Sequence, residues 1–385
     1  MPETKTIIDY QPHIEVVAGT NLTINQRACR EVLGQSDTIA KLLAESITVR
    51  NLLTGNGFSK TRKVKLELFN YGGINVIGKL QVVPDFSELP VEKGTIGLDS
   101  PLAIGVISLK HAYPETGKDY VALSLIAQRC EQLGLTNWPT VRPLDLIEAK
   151  GQRLVIMLNE VVGAKRPNKS NWGSAEVNLQ LYKDPDAKIQ PVLVFNPYSS
   201  LNSDRFSTFW EERRRQLRLQ KFDRETWKKM KQMSDSLAAG YVSALAQVWF
   251  LTGRVPYNFH INAGDGVYDG AAVSPKEDFK AVVPLKLITI RCGLSPVFTD
   301  SFTDFIAYIA NLRSSSMFFN QKDDYKLAAH EGSRFCCFSR ENFWSGLETA
   351  FTKMFNRQGK KIVKDLEENK TLTETWQRLG LKWEI

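Results

Sequence analysis

The chain has 385 residues, of which 43% are hydrophobic and 24% charged, and its formal net charge is +8. That composition excludes wholesale disorder and leaves room for two domains. It contains no run of 18 uncharged apolar residues. Its five cysteines (Cys29, Cys130, Cys292, Cys336 and Cys337) have no C-x-x-C spacing, and together these features argue against a transmembrane helix, a disulfide framework and a zinc ribbon. The N-terminal apolar run is too short for a signal peptide, so the expected setting is reducing and intracellular, cytoplasmic or inside a virion.

Residues 1–25 read as an extended arm or edge strand, with β-type runs at Ile7-Ile8 and Ile14 to Val17. A helical rhythm follows from about Asn25 to Leu53, where Ile39, Leu42, Leu43 and Ile47 form an apolar face. The alternation of Val64, Leu66 and Leu68 with Lys65 and Glu67, then Gly72-Gly73 and a second apolar run to Val83, predicts a β-hairpin. Leu102 to Leu109 and Leu154 to Val162 read as strands, and Asp119 to Leu133 as a helix closed by Gly134.

The polar, basic stretch 163–174 reads as a loop, with strands expected at 176–182 and 189–195. Turn signals at Asn196-Pro197 and Ser199-Ser200 mark a boundary. Residues 204–253 form the clearest helical stretch. Thr208 with Glu211 fits a capping box, Asp223 fits the cap of a second helix, and Ser234 or Asp235 that of a third. The third helix, Leu237 to Leu251, is apolar nearly all round and is expected to be buried, ending at Gly253 and Pro256. A strand is expected at 285–290, helices at 301–313 and 341–357, and a charged helical segment from Lys360 to Ile385.

Strands precede a helical block and helices return at the end. The expected fold class is therefore α+β, with mixed or antiparallel sheet regions, a mid-chain helical block and a helical C-terminus. The expected division is a strand-rich region 1–200 with its N-terminal arm, and a helix-rich region 201–385 with a short strand insertion.

The excess charge is concentrated. Between Arg205 and Lys231 stand ten basic residues against four acidic ones, a net +6 out of the chain's +8. Phosphate backbones need many cations on one surface, and Arg adds bidentate geometry. The candidate backbone-binding residues are Arg213, Arg214, Arg215, Arg218, Lys221, Lys228, Lys229 and Lys231. Trp210 and Trp227 interleave with them as candidate base-stacking rings. Two smaller basic clusters accompany them: Lys60, Arg62, Lys63 and Lys65 on the hairpin, and Lys165, Arg166 and Lys169 in the loop. The competing reading of this charge is a solvated helical face. The Arg213 to Arg215 run breaks any continuous apolar face, which counts against membrane binding.

Catalytic signatures are sparse. P-loop, nucleophile-elbow and H-E-x-x-H patterns are missing, and His13, His111, His260 and His330 are scattered. Gly264 to Gly270 has neither the following helix of a dinucleotide loop nor the position-twelve Glu of an EF-hand, and reads as a structural loop. One fragment, Leu146-Ile147-Glu148-Ala149-Lys150, has the apolar-apolar-Glu-x-Lys form of metal-dependent nucleases. There Glu148 would bind Mg²⁺ with an upstream Asp such as Asp119 or Asp99, and Lys150 would position water.

The profile resembles in type, though in no shared motif, proteins that coat nucleic-acid backbones, such as viral nucleoproteins, coat proteins and filament subunits of RNA-guided defence complexes. The leading expectation is a non-enzymatic protein without metal or cofactor that binds RNA or single-stranded DNA within a homo- or hetero-oligomeric assembly. The rivals are the nuclease and a scaffold subunit that binds no nucleic acid.

Overall fold

The computed structural model describes residues 11–18, 27–55, 63–71, 75–82, 102–111, 114–148, 154–160, 224–257, 259–261, 266–268, 282, 285–290, 292–314, 340–368 and 370–383. They separate into two compact units, one within 1–112 and 143–161, the other within 113–142 and 172–385. The boundary expected at 196–203 lies outside the described residues.

The first unit is a six-stranded mixed sheet faced by short helices. Strand β1 (Ile14–Ala18) is followed by α1 (Arg27–Leu33), α2 (Ser36–Glu45) and α3 (Ile47–Gly55). Then come β2 (Val64–Tyr71), β3 (Asn75–Val82) and β4 (Leu102–His111), and later β5 (Pro143–Glu148) and β6 (Leu154–Asn159). The spatial order is β1-β2-β3-β4-β6-β5. Only β1 and β2 run parallel, and the other neighbours are antiparallel. The alternation in β2 does what a period of two requires. Val64, Leu66 and Leu68 are buried in a core with Ile39, Leu43, Val49, Leu53, Leu80, Ile156 and Leu158.

The helical stretch expected from about Asn25 to Leu53 is divided into three helices. Ser46 separates α2 from α3: its hydroxyl accepts from Val49 N at 3.2 Å, as an N-cap does, and donates to Asp145 Oδ2 at 2.9 Å. The restart rotates the apolar stripe. Ile47, expected in the core, is 67% exposed, and Val49 and Leu53 take the buried positions.

The second unit is mainly helical. It contains α4 (Pro114–Gln132), α5 (Arg224–Thr252), α6 (Phe302–Ala310), α7 (Arg340–Phe355), α8 (Gly359–Glu367) and α9 (Leu372–Arg378). Four short strands accompany them: β7 (His260–Ile261), β8 (Gly266–Tyr268), β9 (Leu285–Leu287) and β10 (Arg313–Ser314), paired β7 with β10 and β8 with β9.

The C-terminal part of α5 is the hub. Every residue from Ala238 to Thr252 is buried, as its all-round apolar sequence predicts. Ser234 and Asp235 do not start a new helix, however; α5 runs through them without interruption. Local capping preference yields here to the continuity of a helix whose following turns are all buried. Phe250 meets the edges of Phe351, Phe355, Trp376 and Trp383 at centroid distances of 5.1 to 6.4 Å. Gly253 then ends the helix at φ +65°, and a Cβ there would sit 1.9 Å from the Phe298 ring, so no other residue fits.

The C-terminal helices are pinned by polar contacts. Thr371 and Glu374 form a reciprocal capping box on α9, and Trp376 Nε1 donates to Phe250 O at 2.9 Å. Asp365 is buried on α8, where Lys370 Nζ lies 2.7 Å from Oδ1 and Arg378 Nη1 pairs with Oδ2. The hydrogen bond from Lys370, with the neighbouring Arg378 charge, holds this carboxyl below its ordinary value of 3.8. A depressed carboxyl contributes stability above the ordinary value and loses it as pH falls through the depressed one. Asp365→Asn therefore melts below the parent at neutral pH, and the gap closes in acid. Thermal melts of both proteins across the acid range check this, and a gap independent of pH would contradict it.

Candidate nucleic-acid interface

The described part of the basic segment is the start of α5. Positions 224, 227, 228 and 231 follow i, i+3, i+4, i+7 spacing along a regular helix, so Arg224, Trp227, Lys228 and Lys231 occupy one stripe, with Lys229 beside it. An aromatic position and cationic ones thus share one helical face. The same helix is fixed by its fully buried half, from Ala238 onwards. A stripe rooted in a packed core loses little backbone freedom on binding, which lowers the cost of association. Trp210, Arg213, Arg214, Arg215, Arg218 and Lys221 lie outside the described residues, as do Lys165, Arg166 and Lys169.

The hairpin cluster has a different character. Parallel pairing of β1 with β2 sets Glu15 opposite Lys65, and Lys63 Nζ reaches Glu15 Oε2 at 2.5 Å. Lys63, through this hydrogen bond, holds the Glu15 carboxyl below the usual range. Lys65 lies 3.5 Å from Glu67, which also accepts from Gln81 Nε2 at 2.8 Å. Lys63 and Lys65 already have carboxylate partners, which local sequence could not reveal for Glu15, about 50 residues upstream, and Lys60 and Arg62 lie outside the described residues.

The nuclease constellation is not assembled by the described residues. Glu148 is exposed at the end of the edge strand β5, paired in register with Val155. Lys150 and Asp99 lie outside the described residues. Asp119 is fully buried in the second unit, where it accepts from Thr289 Oγ1 at 2.8 Å and Ile290 N at 2.6 Å. Its oxygens tie α4 to the segment after β9, a structural role. Among the described residues no group of three His, Cys, Asp or Glu side chains can hold a metal ion. Cys130 is no nucleophile either, since burial pushes its thiol up to about 12.

Gly266 to Tyr268, read from sequence as part of a loop, form strand β8. The sequence reading also passes over a second basic run, Lys353 to Lys364, which holds five cations and no acid. Asp365, Glu367 and Glu368 follow immediately and dilute it in any wider count. The usable signal is the acid-free interval between Glu348 and Asp365.

Among the described residues no helix is long and apolar enough to cross a membrane. No protein-family model matches the chain, and no curated protein matches it. The α+β architecture and the distribution of charge are therefore what a functional reading rests on.

Proposed function

We propose that the protein binds the phosphate backbone of RNA or single-stranded DNA, without catalysis, as a subunit of a larger assembly. The observation that carries this reading is the net +6 between Arg205 and Lys231, whose described end is a basic, Trp-bearing stripe on a helix anchored in the core. A purely solvated face would interleave acids with its cations, as Lys41 and Glu45 do at i, i+4 on α2. Such interleaving is present in α5, where Glu225 stands four residues before Lys229 and Asp235 four after Lys231, so the support comes from the run Arg213 to Lys221, which holds five cations and no acid.

The test is equilibrium binding of the full chain to fluorescein-labelled single-stranded RNA and DNA, by anisotropy, between about 50 and 200 mM salt. Backbone binding through the eight candidate mid-chain cations predicts a log–log salt slope of about −5.6 or steeper for a single strand. An absence of binding at the lowest salt would overturn the proposal and favour the scaffold reading. Cleavage of either probe in Mg²⁺, lost in Glu148→Ala, would favour the nuclease instead.

A further inference from the structure

We propose that the corner joining α7 to α8 is a second phosphate-binding surface, formed by Arg357, Lys360, Lys361 and Lys364. It takes the reading above as its basis for the ligand, a nucleic-acid backbone, and adds a site that the mid-chain basic segment does not include.

Helix α7 ends at Phe355, a 3-10 turn spans Asn356–Gln358, and α8 starts at Gly359. Asn356 takes the left-handed conformation at φ 52°, one of the few residue types that do so readily. A Cβ on Gly359 would lie 2.5 Å from the Phe351 carbonyl group and from Thr352 N. Only glycine lets α8 lie this close to α7. Below the corner, Leu347, Ala350, Phe351 and Met354 of α7 and Ile362, Val363 and Leu366 of α8 are buried. The corner is therefore a tightly packed platform.

The outer face of that platform is cationic. Arg357, Lys360, Lys361 and Lys364 are all exposed; Lys360 and Lys364 stand at i, i+4 on α8 with Lys361 beside them, and Arg357 projects from the 3-10 turn just before that helix. At 1.5 Å per residue the stripe is about 10 Å long, enough to face about three phosphates of one duplex strand. Lys353 is half-buried and engaged within the fold, apart from the exposed stripe. Of the nearby acids only Glu368 pairs with the stripe among the described residues; Glu367 is exposed beside it and forms no ion pair there. Asp365 turns inward to Lys370 and Arg378. The contact of Lys364 with Glu368 is 3.7 Å long between side chains 74% and 53% exposed, a pairing that salt screens. Like charges at this spacing repel one another, and an anion bound across them relieves that cost.

The test compares the full-length parent with Arg357→Gln/Lys360→Gln/Lys361→Gln/Lys364→Gln and with Lys360→Arg/Lys361→Arg/Lys364→Arg. The probes are a labelled single-stranded RNA and a labelled DNA duplex. The expected result for the Gln variant is a loss of about tenfold or more in affinity at low salt. Its salt slope becomes shallower by about 3, while the Arg variant binds as the parent does. A Gln variant with the parent's affinity and slope, when the parent binds, overturns this inference alone. A parent that binds neither probe overturns both this inference and the proposed function.

Discussion

Trp249→Ala is expected to destabilise the second unit by about 3–5 kcal/mol. The ring is fully buried on α5. It stacks on Phe305 of α6 at a centroid distance of 4.4 Å with 10° between planes, and lies 6.1 Å from Phe302. Its Nε1 donates to Thr299 O at 2.6 Å. Truncation therefore removes a large apolar contact between α5 and α6 and leaves both a cavity and an unpaired carbonyl. Trp249→Phe keeps most of the volume and gives up the hydrogen bond, for about 1 kcal/mol. Urea unfolding followed by circular dichroism checks both. A loss below about 1 kcal/mol for the Ala variant would mean that α5 is not the hub described. Because domains are stable by only about 5–15 kcal/mol, the expected loss is a large part of the whole.

The second large effect concerns binding. Reversing Arg213, Arg214, Arg215 and Arg218 to Glu takes the formal net charge of the chain from +8 to 0 and replaces four candidate phosphate contacts with repulsion. The expected result is a loss of about 100-fold or more in affinity for single-stranded RNA at about 50 mM salt, and a salt slope shallower by about 3. Lys63→Gln/Lys65→Gln serves as the comparison. Those lysines already face Glu15 and Glu67, so binding should change little. A loss in the lysine variant in proportion to the charge removed, two against eight, would mean that total charge, not the mid-chain segment, drives association.

Much of the α+β fold is legible in the sequence because its signals are local. The period-two run in β2 and the Gly72-Gly73 turn announce a hairpin, and the all-round apolar stretch from Ala238 to Leu251 announces a buried helix. Gly134 and Gly253, read as stops, both adopt positive φ. What is not legible depends on distant partners. Nothing near Ile14 says that β1 joins β2 in parallel, or that Asp145 reaches back to Ser46 and helps fix the break that exposes Ile47. In the candidate site, sequence locates the cations but not their counter-charges. It counts Lys63 and Lys65 as available when both are paired. It passes over Arg357 to Lys364, because the exposure of that stripe depends on the Asn356 turn and on Asp365 facing inward.

The central claim is that this protein's excess charge is held for a phosphate backbone. The most direct measurement is the ratio of ultraviolet absorbance at the nucleic-acid maximum to that at the protein maximum, taken on protein purified at low salt and again after a high-salt wash. The account predicts a ratio raised by co-purifying nucleic acid that falls to the protein value once salt displaces it. A protein-like ratio at both salts, with no binding to added RNA or DNA, would contradict the account and leave the basic stripes as solvated faces.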